Sequence, residues 1–142
     1  MTQDVDLSIR DTRVGACRVI AVSGELDLAT ADELRRALTG ALSTRTPWLI
    51  IDLSGAPFCD SSGLSVLIGA HHDARAVGGG ARIAAPRPTV RAVLYRVGLN
   101  QLLPIHDTVS EAVRAVAAER TATEGPVGAA PDEPATPQPV AV

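Results

Sequence analysis

Few residues in this 142-residue chain are equipped for chemistry, and the most suggestive are Asp60-Ser61-Ser62-Gly63. Two hydroxyls follow a carboxylate there, at the point where an apolar run gives way to helical periodicity. Such a hydroxyl could act as a nucleophile, cap a helix or accept a phosphoryl group. Nucleophilic catalysis needs a base, but the Gly-x-Ser-x-Gly frame of a nucleophile elbow is missing and His71, His72 and His106 give Ser61 no identifiable partner. Asp60 fits a surface cap or turn residue better than a general base. His71 and His72 are adjacent on a helix and point to different faces, so they cannot form an i, i+4 zinc pair. Gly78-Gly79-Gly80 leaves a helix and enters a strand, the reverse order of a phosphate cradle, and the chain has no Lys for a Walker motif. Cys17 and Cys59 suggest neither a disulfide framework nor a metal site, and are expected as free, buried thiols. The remaining reading is a surface serine at the positive end of a helix dipole, where a phosphate would be tolerated. No enzyme, metal or cofactor is implied.

The elements that must position this serine follow from periodicity. Trp48 to Leu53, bounded by Pro47 and Ser54-Gly55, is a short run rich in Leu and Ile, the pattern of a strand buried on both faces. After Ser61, Leu64, Leu67, Ile68 and His71 fall at i, i+3, i+4 and i+7, which predicts a largely buried helix ending near Val77. Upstream, Val5, Leu7 and Ile9 alternate with polar residues as an outer strand, a polar turn spans Asp11 to Gly15, and Ala16 to Val22 completes a hairpin. Thr30 and Glu33 have the spacing of a capping box for a helix to about Leu42, with Leu34, Ala37, Leu38 and Ala41 inward. Downstream come a strand at Ala81 to Ala85, a helix from Pro88 with a Val90, Val93, Leu94, Val97 stripe, and a short strand at Leu102 to Ile105. Thr108 and Glu111 form a second capping box, opening a helix with Val109, Ala112, Val113 and Val116 inward. The order is β-β-α-β-α-β-α-β-α, an α/β domain over residues 1–119 with a mixed sheet of four to five strands faced by four helices. Residues 120–142 lose periodicity and read as a disordered Pro/Ala-rich tail.

Composition narrows the partners. All 13 basic residues are Arg, and 13 of the 16 acids precede residue 121, so the body is formally neutral and the net charge of −3 comes from Glu124, Asp132 and Glu133. That balance offers no footprint for nucleic acid or an anionic membrane, and Trp48, Phe58 and Tyr95 are too few for base stacking. The acidic N-terminus has no signal-peptide core and no apolar run reaches membrane-spanning length, so a cytoplasmic location is expected.

Taken in order, Ser23-Gly24-Glu25-Leu26-Asp27 before the Thr30 helix, Leu49 to Asp52, Phe58-Cys59-Asp60-Ser61-Ser62-Gly63-Leu64, Gly79-Gly80-Ala81 and Val97-Gly98-Leu99 resemble the STAS domain family. The nearest branch is the bacterial anti-sigma factor antagonists, and the similarity runs from about Val5 to Glu119. The resemblance implies a partner-switching phosphoprotein in transcription regulation and stress response. The unphosphorylated antagonist binds an anti-sigma factor that is an ATP-dependent serine kinase and so releases the sigma factor; phosphorylation of the first motif serine, here Ser61, ends the binding. It also implies that Asp27 lies beside that serine and that Asp27, Asp60, Ser61, Ser62 and Gly63 contact the partner. The alternative is a STAS scaffold or ligand-sensing module in which Ser61 is never phosphorylated. Cys59 replaces a larger apolar residue of the family pattern, and Ser65 is more polar than expected.

Overall fold

The computed structural model describes residues 7–124. Its elements are β1 (Ser8–Val14), β2 (Cys17–Ser23), α1 (Ala31–Ala41), β3 (Trp48–Gly55), α2 (Ser61–Ala76), β4 (Gly80–Ala84), α3 (Pro88–Arg96), β5 (Ile105–His106) and α4 (Val109–Glu124), with a 3-10 turn at Leu99–Gln101. The strands form one five-stranded sheet in the order β1-β2-β3-β4-β5. β1 pairs antiparallel with β2, and the remaining pairs are parallel. The α/β class, mixed sheet and element order match the sequence reading.

Strand order never reverses along the sheet, so successive right-handed crossovers place α1, α2 and α3 on one face. The opposite face is left for α4. Burial follows this division because side chains alternate along a strand. Leu49, Ile51 and Leu53 of β3 join Ile20, Leu34, Leu67 and Leu94 in one core, whereas Trp48 and Ile50 join Cys17, Val19, Ala112 and Val116 in the other. β3 is therefore covered on both sides, as its continuous apolar run requires.

Several boundaries differ from the sequence reading. Of the polar stretch Asp11 to Gly15 expected as a turn, Asp11 to Val14 is strand: β1 is an edge strand, mostly exposed, and the Asp11 side chain is ion-paired across the hairpin with Arg18. Charged side chains on such an edge discourage unwanted strand pairing. Val5 lies outside the described residues. On α2 the buried stripe is Gly63, Val66, Leu67, Ala70 and Ala74, rotated from the one expected, while Leu64, Ile68 and His71 are half-buried. Small residues let this helix lie close against the sheet and α1. Val97 is exposed rather than core, and the last strand is Ile105–His106 rather than Leu102 to Ile105.

The two proposed capping boxes fare differently. Thr108 Oγ1 accepts from the Glu111 amide at 3.0 Å, and Glu111 reaches back to the Asp107 amide at 3.2 Å, one residue beyond the expected one. At α1 the box is absent. Thr30 donates its hydroxyl to Glu25 O at 2.7 Å, and Glu33 accepts instead from the Leu7 amide at 3.2 Å. Tertiary structure has claimed both side chains. α4 continues to Glu124, so residues 120–124 of the segment read as tail are helical. The rest of that segment lies outside the described residues.

Candidate functional site

Ser61 stands where β3 hands over to α2, at the C-terminal edge of the parallel strands. This edge is assembled from two loops locked together. The Gly24 amide donates to Gly55 O at 3.0 Å, the Leu26 amide to Phe58 O at 2.9 Å, and the Asp60 amide to Leu26 O at 3.0 Å. Leu26 and Cys59 form a parallel bridge. The loop before α1 is thus zipped onto the loop before α2, which carries Asp27 to the approach to Asp60-Ser61. Gly63 makes this closeness possible. A Cβ at that position would lie 2.8 Å from Leu26 Cβ and 2.9 Å from both Leu26 O and Cys59 Sγ.

The cap of α2 is Asp60, and Ser61 is the first helical residue. Asp60 Oδ1 accepts from the Ser62 amide at 2.8 Å and the Gly63 amide at 3.2 Å, while Asp60 O accepts from Leu64 at 2.9 Å. A carboxylate at this end is doubly favoured, by charge-assisted bonds and by the helix dipole. Its bonds also take up most of the donors that a phosphate could have used; the Ser61 amide is left without a partner among the described residues. Freed from capping, the Ser61 side chain is exposed and its hydroxyl has no partner among the described residues. Asp60→Ala is expected to cost about 1 kcal/mol of stability, read as a lower urea midpoint with an unchanged slope.

Asp27 is half-buried and holds its own loop. Its Oδ1 accepts from the Thr30 amide at 3.2 Å, and its amide donates to Thr30 Oγ1 at 3.1 Å. The fold thus brings Asp27 and the Asp60–Gly63 turn onto adjoining loops at one end of the sheet, with Ser62 half-buried and Gly63 buried. Cys59 lies beneath them; burial and the neighbouring Asp60 charge push its thiol up to about 12, so it stays protonated and unreactive. Burial likewise raises Cys17, and both thiols are free.

A family model of the STAS domain matches residues 8–112. The chain belongs to the STAS domain family. It falls in the branch of the anti-sigma factor antagonists, being 32% identical over 90 residues to the anti-sigma F factor antagonist of Paenibacillus polymyxa, with 63% of this chain and 77% of that relative covered. Among solved structures, an anti-sigma factor antagonist from Mycobacterium paratuberculosis superposes with a TM-score of 0.70 at 26% identity, covering 82% of this chain and 99% of that one. The Bacillus cell fate determinant SpoIIAA in its phosphorylated form gives a TM-score of 0.60 at 26% identity, over 77% of this chain and 99% of that one.

Two residues at the Ser61 end of this STAS domain were not singled out from sequence as contact residues. Leu28 is 80% exposed and Phe58 is 48% exposed, one on each of the zipped loops. Their position on adjoining loops beside Ser61, rather than their exposure alone, makes them candidates for partner contact. In sequence both merge into apolar stretches that elsewhere supply core.

The histidines serve the fold. His71 Nδ1 accepts from the Ala81 amide of β4 at 3.1 Å, a donor that two-residue β5 is too short to pair. Burial, then the nearby Arg75 and His72, lower the His71 pKa below its ordinary 6.5. His106 is also lowered, by burial and then by Arg82. The folded state therefore prefers neutral imidazoles. Their contribution is complete above about pH 6.5 and is lost as pH falls through 6.5 toward the depressed folded values. Thermal melts should show the midpoint dropping over that acid window, with a shallower drop in His71→Gln. Among the described residues no metal-binding cluster of His, Cys, Asp or Glu occurs, and no helix is long and apolar enough to cross a membrane.

Proposed function

We propose that this STAS domain is an anti-sigma factor antagonist switched by phosphorylation of Ser61. Its unphosphorylated form binds an anti-sigma factor that is also a serine kinase, and the sigma factor is released. The kinase then transfers the γ-phosphoryl group of ATP to Ser61 Oγ; ADP leaves, the hydroxyl proton is lost, and the complex separates. This chain supplies the acceptor and performs no catalytic step itself.

The observation that carries this reading is the exposed, unengaged Ser61 hydroxyl on a locked rim beside Asp60. A phosphoserine adds about −1.5 to −2 charge. At this helix end it meets a carboxylate that already holds the Ser62 and Gly63 amides, so the modified rim concentrates negative charge. The core beneath does not depend on the Ser61 side chain, and the backbone has no cause to rearrange. Leu28 and Phe58 on the same rim would provide apolar contact to a partner, with Asp27, Ser62 and Gly63 in the adjoining surface. The names of the relatives and the solution of SpoIIAA in a phosphorylated form support the same assignment.

Incubation with the cognate anti-sigma kinase and ATP, followed by peptide mass mapping, tests it. One phosphate is expected on the peptide holding Ser61, and none on Ser61→Ala. Phosphate placed elsewhere, or none at all under conditions where the complex forms, would overturn the assignment.

A further inference from the structure

The other end of the sheet holds a feature that the Ser61 rim does not use. Around the N-terminal ends of β2 and β3 lies an open cleft of about 540 Å³, walled by the loop after α1, the C-terminal end of α2 and the last turns of α4. A second cavity of about 190 Å³ adjoins it and shares Trp48, Arg75 and Glu119. The larger volume lies within the usual range of small-molecule sites, about 300 to 1,000 Å³.

Charge distinguishes this cleft from the rest of a formally neutral body. Arg45, Arg75 and Arg120 converge on the larger cavity from three different elements, and Arg82 lines the smaller one. Against these four guanidinium groups stands one carboxylate, Glu119, which is ion-paired with Arg82. Arg82 is held inward, with its side chain 12% exposed; its second terminal nitrogen contacts His106 Nε2 at 3.0 Å and its buried Nε has no partner among the described residues. Arg45 and Arg75 pair with no carboxylate among the described residues. Arg75 partly complements the carbonyl end of α2, whose dipole is worth about half a charge. Arg45 and Arg75 still bring two positive charges to one concavity. Like charges gathered in a cleft repel one another and focus a field that an anion relieves. Trp48, largely buried in the core at 8% exposure, is a lining residue of both cavities, so the cationic mouth adjoins an aromatic residue.

We infer that this cleft binds a small soluble polyanion of the phosphate class, held by Arg45 and Arg75 with its remainder against Trp48. Guanidinium groups suit such a ligand because their planar forks match phosphate oxygens. The site lies at the pole of the molecule opposite Ser61 and is independent of the phosphorylation reading.

Trp48 is the sole tryptophan of the chain, so its emission reports directly on this cleft. The full chain is titrated with sodium pyrophosphate at constant ionic strength. A saturable change in emission is expected, with affinity about tenfold weaker in Arg75→Gln and in Arg45→Gln, each loss corresponding to one charge-assisted contact. Arg91→Gln, which removes a guanidinium paired with Asp107 elsewhere, should titrate like the parent. Circular dichroism confirms that each variant is folded. The inference is overturned if chloride at matched ionic strength produces the same change, if no saturable change occurs, or if both cleft variants keep the parent affinity. Arg75-dependent co-sedimentation with phosphatidylglycerol vesicles, without a pyrophosphate response, would overturn it in favour of a membrane surface.

Discussion

Ser61→Asp is expected to lower affinity for the cognate anti-sigma kinase by about a hundredfold, corresponding to about 2.7 kcal/mol, while Ser61→Ala stays near the parent. The size follows from what surrounds the hydroxyl. Asp60 already accepts from the Ser62 and Gly63 amides, so a second carboxylate finds only the Ser61 amide at the helix end. In solution the added charge is hydrated and costs little. Once a partner covers Leu28 and Phe58, water leaves the rim and two neighbouring carboxylates must be desolvated together. Alanine removes a hydroxyl that makes no bond in the free chain, and so leaves the surface neutral and its shape almost unchanged. Isothermal titration of parent, Ala and Asp chains against the kinase decides the matter; equal affinities for Ala and Asp would sink the charge-based switch. Both variants should melt within a degree or two of the parent, since an exposed first-turn side chain carries little stability.

Gly79→Ala is expected to destabilise the fold strongly. A Cβ on Gly79 would fall 2.0 Å from Pro47 O and 2.4 Å from the Pro47 carbonyl carbon. The obstacle is backbone, not the end of a flexible side chain. Relief requires moving the entry of β3 away from β4, where Trp48 pairs with Gly80 and the Gly80 amide donates to Pro47 O at 3.2 Å. The cost is about 3 kcal/mol or more by comparison with overpacked cores, a large part of the roughly 5 to 15 kcal/mol of a typical domain. A fall in melting temperature on the order of 10 °C or more is expected. A melting temperature unchanged from the parent would mean that the strand entry yields far more readily than its hydrogen bonds imply.

These two positions also mark what sequence does and does not disclose. Trp48 to Leu53 announced a central strand because it had no polar face, and Asp60-Ser61 announced a helix start because those side chains satisfy lone amides. The division of labour within that turn was hidden: Asp60 caps, and Ser61 is therefore free. Whether Asp or Ser takes the cap depends on where the extended approach to α2 ends, and Asp60 is held extended there by the bond between its amide and Leu26 O. That bond joins segments far apart in sequence, as does the bridge between Leu26 and Cys59. The same limit explains Thr30 and Glu33, whose spacing suits a local box but whose partners, Glu25 O and the Leu7 amide, come from elsewhere. The edge strand was misplaced because burial, the source of alternation, is nearly absent from β1. Leu28 and Phe58 were invisible as surface residues, since hydrophobicity alone does not tell a core side chain from one left out for contact.

The course of α4 has a practical corollary. It begins near the Ser61 end of the sheet, after β5, and its last turns reach the arginine cleft at the far end. A biosensor surface or affinity resin coupled through a cysteine placed at the exposed Thr121 would present Ser61, Leu28 and Phe58 outward, whereas ligands of the cleft would have to enter beside the attachment. Coupling chemistry at the chain's C-terminal side therefore favours kinetic measurements on the serine face, and pyrophosphate titrations belong in free solution.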